Sequence, residues 1–99
     1  MVKFELKETA TTPFINFDHT IGVIKMEGRS IPENVIDFYQ PILRWIDEYA
    51  QNPLPETLVH MKFEYFNTSS SKRIFDIMKK LEKMAIDTGT KVTINWYFE

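Results

Sequence analysis

Ninety-nine residues with a formal net charge of −2 and a pI near 5.7 fit one domain, 1–99, and exclude a general nucleic-acid binder. The chain has no cysteine, which removes disulfides and thiolate metal sites, and a reducing cytoplasm is the expected setting. Neither a basic-then-apolar leader nor an apolar run of membrane-spanning length is present, so a soluble protein without membrane insertion is expected.

Val2, Phe4 and Leu6 alternate with charged residues and predict a short first strand within residues 1–10, stopped by Thr11-Thr12-Pro13. Phe14–Phe17 predicts a second strand, Asp18-His19-Thr20 a turn, and Ile21–Glu27 a third strand that pairs with the second as a hairpin. Gly28-Arg29-Ser30 closes that strand. Ser30 is the candidate N-cap of a first helix, with Pro32 in its first turn and Glu33 at capping-box spacing. Val35, Phe38, Tyr39, Ile42, Trp45, Ile46 and Tyr49 recur at helical spacing, and Pro41 predicts a kink or break near Phe38.

Leu58–Phe66 is the clearest strand. Val59, Met61, Phe63 and Tyr65 alternate with His60, Lys62 and Glu64, which predicts a sheet wet on one face with its helices gathered on the other. Ser69–Thr88 predicts a second helix ended by Gly89 as its C′ residue, and Val92–Phe98 a last strand. The Met and aromatic stripes are assigned to the core. The predicted order is β-β-β-α-β-α-β: an α/β, two-layer domain with a mixed sheet of four to five strands and two main helices on one face. Its two β-α-β units carry their strand-to-helix loops to the same carboxyl edge, bringing Gly28–Asn34 beside Asn67–Ser71.

The second of these loops holds Thr68-Ser69-Ser70-Ser71, four hydroxyl residues at a helix start. One of them, or Asn67, suffices as a cap, with Ser69 or Ser70 the expected one. The first turn also carries Lys72 and Arg73 and no carboxylate, which opposes the helix macrodipole and suits an anion, either a bound phosphate or one attached to a loop hydroxyl. The charge distribution leans the same way: residues 1–66 hold six basic and ten acidic side chains, and residues 67–99 hold six and four. His19 and His60 lack any partner at metal-ligand spacing, and neither a P-loop nor a dinucleotide fingerprint is present, so no metal and no cofactor are expected. A Thr68 or Ser70 nucleophile lacks a base in sequence, so an enzyme is not expected.

Thr12-Pro13, Gly28-Arg29-Ser30-Ile31-Pro32-Glu33-Asn34, Phe38-Tyr39, the Trp45 region, Tyr65-Phe66-Asn67-Thr68-Ser69-Ser70-Ser71-Lys72 and Trp96-Tyr97 together resemble the SiaC-type regulatory phosphoproteins over nearly the whole chain. The resemblance implies a fold similar to the STAS domains of anti-sigma-factor antagonists, with Thr68 as the phosphorylated residue. Asn67, Ser69, Ser70 and Lys72 would surround it, and Arg29, Ser30, Pro32, Glu33 and Asn34 would form a neighbouring partner loop. It further implies a bacterial signalling switch. A serine/threonine kinase and a PP2C-like phosphatase would set the modification. The unphosphorylated form would bind and stimulate a GGDEF diguanylate cyclase, raising cyclic di-GMP and affecting biofilm formation. The family commonly continues into an acidic tail beyond the Trp-Tyr region, whereas this sequence stops at Glu99, so any contribution of such a tail to partner binding is missing or was never present. The alternative reading is a STAS-like domain that binds a small anion or nucleotide without covalent phosphorylation.

Overall fold

The computed structural model describes residues 1–98; Glu99, the last residue of the expected domain and the point where the tail would follow, lies outside the described residues. The elements are β1 (Phe4–Leu6), β2 (Phe14–Asp18), β3 (Val23–Ser30), α1 (Val35–Tyr49), β4 (Glu56–Phe66), α2 (Thr68–Thr88) and β5 (Lys91–Phe98). The strands lie in chain order in one mixed sheet: β1, β2 and β3 pair antiparallel, and β3, β4 and β5 pair parallel. The β2–β3 turn passes through Gly22 at φ +68, where a Cβ would lie 2.6 Å from the Glu56 carbonyl oxygen, so only glycine fits without strain.

The period-2 patterns of β2, β3 and β4 place Ile15, Phe17, Ile24, Met26, Val59, Met61 and Phe63 on one face, all fully or almost fully buried. Both helices pack on that face. Tyr39, Ile42, Trp45, Ile46 and Tyr49 of α1 and Ile74, Ile77, Leu81 and Met84 of α2 complete the core. Each such side chain contributes roughly 1.5–3 kcal/mol through burial. Lys25, Glu27, His60, Lys62 and Glu64 alternate with the buried residues and take the opposite face.

Four expectations are corrected. Ser30 does not cap α1: it is the last residue of β3 and fully buried, and Pro32 stands ahead of the helix rather than in its first turn. Proline holds its predecessor Ile31 out of the helical region. The cap falls to Asn34, whose Oδ1 accepts the Asp37 N–H at 3.1 Å, so no Ser30–Glu33 capping box forms. Secondly, α1 does not break near Phe38 but runs on through Pro41. The carbonyl deprived of a partner is that of exposed Asp37, which water can satisfy.

Thirdly, Tyr65 is not inward. Between Gly28 and Arg29 the β3–β4 register slips from Gly28↔Phe63 to Arg29↔Tyr65, so Glu64 is an extra residue in β4, a β-bulge. The bulge reverses the phase of the strand. Tyr65 is 48% exposed, while Phe66 turns to the helix side, its ring 5.5 Å from that of Phe63. Finally, several aromatic residues lie outside the core. Trp96, Tyr97 and Phe98 of β5 are 43–55% exposed, because β5 is the edge strand of the sheet and Tyr97 lies on its wet face, and Phe75 on the outer side of α2 is exposed as well.

Candidate functional site

At the carboxyl edge of β3 and β4 the two strand-to-helix loops meet. The last register pair is Ser30↔Phe66, and the Asn67 N–H donates to the Ser30 carbonyl at 3.2 Å. On the far side of Ser30, the Ile31 N–H donates to the Thr11 carbonyl at 2.8 Å, fixing the start of the Arg29–Asn34 loop. The expected juxtaposition of the loops is therefore present, and it is made by main-chain bonds.

Asn67, rather than Ser69 or Ser70, caps α2. Its backbone is extended (φ −82, ψ 174), its Oδ1 accepts the Ser70 N–H at 2.8 Å, and its carbonyl accepts the Ser71 N–H at 2.9 Å. The amides of Thr68 and Ser69 come before the first intrahelical bond and are left for an external acceptor. There is no acidic residue in the first turn, so nothing there complements the positive end of the dipole.

The four hydroxyls have different fates. Ser70 is fully buried, and its Oγ accepts a bond from the Ser30 Oγ at 2.9 Å. The Ser30 Oγ lies 2.6 Å from the Tyr39 hydroxyl, which is also fully buried. One hydroxyl triad thus ties the end of β3, the first half of α1 and the start of α2 together beneath the loop. Burial pushes the Tyr39 phenol up to about 12, although its bonds to the serine hydroxyls pull the other way. Ser71 donates its hydroxyl to the Thr68 carbonyl at 2.7 Å. Thr68 and Ser69 are exposed, and neither hydroxyl is hydrogen-bonded among the described residues.

The cations also differ. Arg73 is held by Asp76 at 3.3 Å, one turn further on. Lys72 is exposed and stands four residues from Thr68, on the same helix face. Of the neighbouring loop, Arg29, Glu33 and Asn34 are exposed and Pro32 is half-buried, whereas buried Ser30 offers no side chain to a partner. Tyr39 is the member of this arrangement that sequence reasoning assigned only to the core. The available signal was that a buried phenol requires a polar partner.

Taken together, the fold and this edge define a small α/β domain that presents a hydroxyl-bearing helix start to solvent above a locked polar interior. The chain belongs to the SiaC family of regulatory phosphoproteins, whose family model matches residues 6–99. It is 28% identical over 99 residues to an uncharacterised protein of Pseudomonas aeruginosa strain UCBPP-PA14, covering 100% of this chain and 78% of that one. It matches the crystal structure of apo-SiaC from Pseudomonas aeruginosa at 27% identity and a TM-score of 0.90, over 100% of this chain and 81% of the other. A third match is to the crystal structure of the diguanylate cyclase SiaD in complex with its activator SiaC, from the same organism. There the identity is 28% and the TM-score 0.86, over 94% and 75% of the two chains. As a member of a family of regulatory phosphoproteins, the chain is a regulator and not an enzyme. Among the described residues, no helix is long and apolar enough to cross a membrane.

Proposed function

We propose that this chain is a cytoplasmic signalling switch that carries phosphate on Thr68 and, when unphosphorylated, binds and stimulates a GGDEF diguanylate cyclase, raising cyclic di-GMP and regulating biofilm formation. The cyclase assignment is supported by the match to the SiaD–SiaC complex. A serine/threonine kinase and a PP2C-like phosphatase set the state of the switch.

The observation that carries the residue assignment is the sorting of hydroxyls at the α2 start. Ser70 is buried in the triad and Ser71 is engaged with the Thr68 carbonyl, so Thr68 and Ser69 remain for a kinase. Thr68 has Lys72, unpaired among the described residues, one turn on along its own face. The equivalent cation for Ser69 is Arg73, which is occupied by Asp76. A phosphate on Thr68 adds about −1.5 to −2 charges and new acceptors where two amides and Lys72 can receive them. It changes the charge and shape of the exposed edge while the triad holds the loop beneath it, so the partner surface changes and the fold does not.

Phosphopeptide mapping after incubation with the cognate kinase tests the residue, with phosphate expected on Thr68; modification of Ser70 alone, or of nothing, would overturn it. A Thr68→Asp variant is expected to lose cyclase binding in a pull-down while keeping its melting temperature.

A further inference from the structure

The two edges of the sheet are built differently. β1 is three residues long, and Lys3, Glu5, Lys7 and Glu8 crowd it, so it offers little to another strand. β5 is eight residues long and in unbroken register with β4, with neither proline nor glycine and with Lys91 as its only charge. Its outer row of N–H and C=O groups has no partner strand among the described residues. Core rows that begin fully buried, Phe17–Ile24–Val59 and Ile15–Met26–Met61, end on β5 at Ile94 and Trp96, each 43% exposed. Among the described residues, Lys91 at its start is the one edge protection this strand carries.

The sequence of β5 indicates what covers it. Val92-Thr93-Ile94 are all β-branched, Trp96-Tyr97-Phe98 are all aromatic, and Asn95 separates the two triplets. Antiparallel pairing of this strand with itself about Asn95 sets Ile94 opposite Trp96 and Val92 opposite Phe98 on the helix face, and Thr93 opposite Tyr97 on the other. Every pair is then β-branched against aromatic, among the favourable cross-strand combinations, and no like charges meet. We propose that β5 is a self-association edge, at which a second copy of this chain adds antiparallel with its twofold axis through Asn95, giving one continuous ten-stranded sheet. The arrangement is isologous and closes at two copies. Half-exposed aromatic side chains of this size, together with Val92 and Ile94, would bury about 500–600 Å² per copy, or about 1,000–1,200 Å² in total, near the lower bound for a specific interface. The dimer is therefore concentration-dependent. Trp96 and Phe98 also pack on Phe66, at ring separations of 6.3 and 5.0 Å, so the seam adjoins the residue that leads into Asn67 and Thr68.

Sedimentation equilibrium of the full chain over a range of concentrations should give a reversible shift from 11.8 kDa to twice that mass. Ile94→Lys should abolish the shift and Leu6→Lys, on the other edge, should leave it. Because the chain has no cysteine, single thiols report the register. Asn95→Cys places two thiols across the axis within disulfide reach and should cross-link under mild oxidation. Two Thr93→Cys thiols would lie about 14 Å apart and should not. A wild-type chain that stays monomeric at every concentration overturns the proposal, as does a dimer that cross-links through Thr93→Cys or Leu6→Cys but not through Asn95→Cys.

Discussion

The Ser30 hydroxyl donates to the Ser70 hydroxyl at 2.9 Å, joining two fully buried side chains that stand 40 residues apart in sequence. This bond clamps the start of α2 to the end of β3, and Tyr39 completes it from α1. Ser30→Ala removes the hydroxyl that both Tyr39 and Ser70 bond, whereas Ser70→Ala leaves Ser30 bonded to Tyr39. Ser30→Ala should therefore cost more, with each loss in the range of about 1–3 kcal/mol. In urea unfolding the double variant should cost less than the sum of the singles, with a coupling of about 0.5–1.5 kcal/mol.

Tyr39 makes the same clamp sensitive to alkali. Its proton is held up to about 12 in the folded chain, against an ordinary value of 10.0. Below pH 10 the phenol is neutral in both states and the contribution is fully present. As pH rises from 10 towards 12 the unfolded chain loses the proton first, and stability falls by about 1.4 kcal/mol per unit, on the order of 2–3 kcal/mol across the window. Denaturant midpoints measured through this range should fall more steeply for the wild type than for Tyr39→Phe. Parallel slopes would remove Tyr39 as the source.

The residue that caps α2 and the proposed phosphorylation site are adjacent. Asn67→Ala removes the acceptor for the Ser70 N–H and should lower stability by about 1 kcal/mol. Thr68→Ala removes an exposed hydroxyl and should change stability by no more than about 0.5 kcal/mol while abolishing phosphate incorporation. Thermal melts alongside a kinase assay on the two variants check both halves.

Pro41 offers a stabilising change. In a continuous α1, Pro41→Ala restores the amide that the Asp37 carbonyl lacks and removes the ring from the helix interior, so the melting temperature should rise. The full proline penalty of about 3 kcal/mol is an upper bound, because Asp37 is exposed and its carbonyl is open to water. A fall in melting temperature would mean that the ring is part of the packing.

Much of this architecture is legible in the chain itself. The alternation from Val59 to Phe63 and the helical spacing from Val35 to Tyr49 are burial patterns, and burial is what the sheet and helix faces enforce. Gly89 ends α2 in the left-handed conformation because it has no Cβ to obstruct it. The meeting of the two loops follows from crossover geometry. What the chain hides are effects that depend on a neighbour. Ser30 has the composition of a cap and becomes an interior donor only because Tyr39 and Ser70 lie beside it. Trp96 and Phe98 have the composition of core and remain half-exposed because β5 is the edge of the sheet, with no further strand beside it among the described residues. The bulge at Glu64 depends on the register with β3, which no pattern within β4 records.

That bulge makes the facing of the switch a matter of counting. Between Phe63 and the Asn67 cap the chain contains one residue more than strict alternation allows, and the surplus decides that Phe66 looks inward and Tyr65 outward. A β4 that ran on regularly through Glu64, without the bulge, would keep every side chain named at that edge yet invert that parity, rotating the α2 entrance relative to Ser30. Spacing is as much a part of this site as its hydroxyls, and it can be lost without changing any of them.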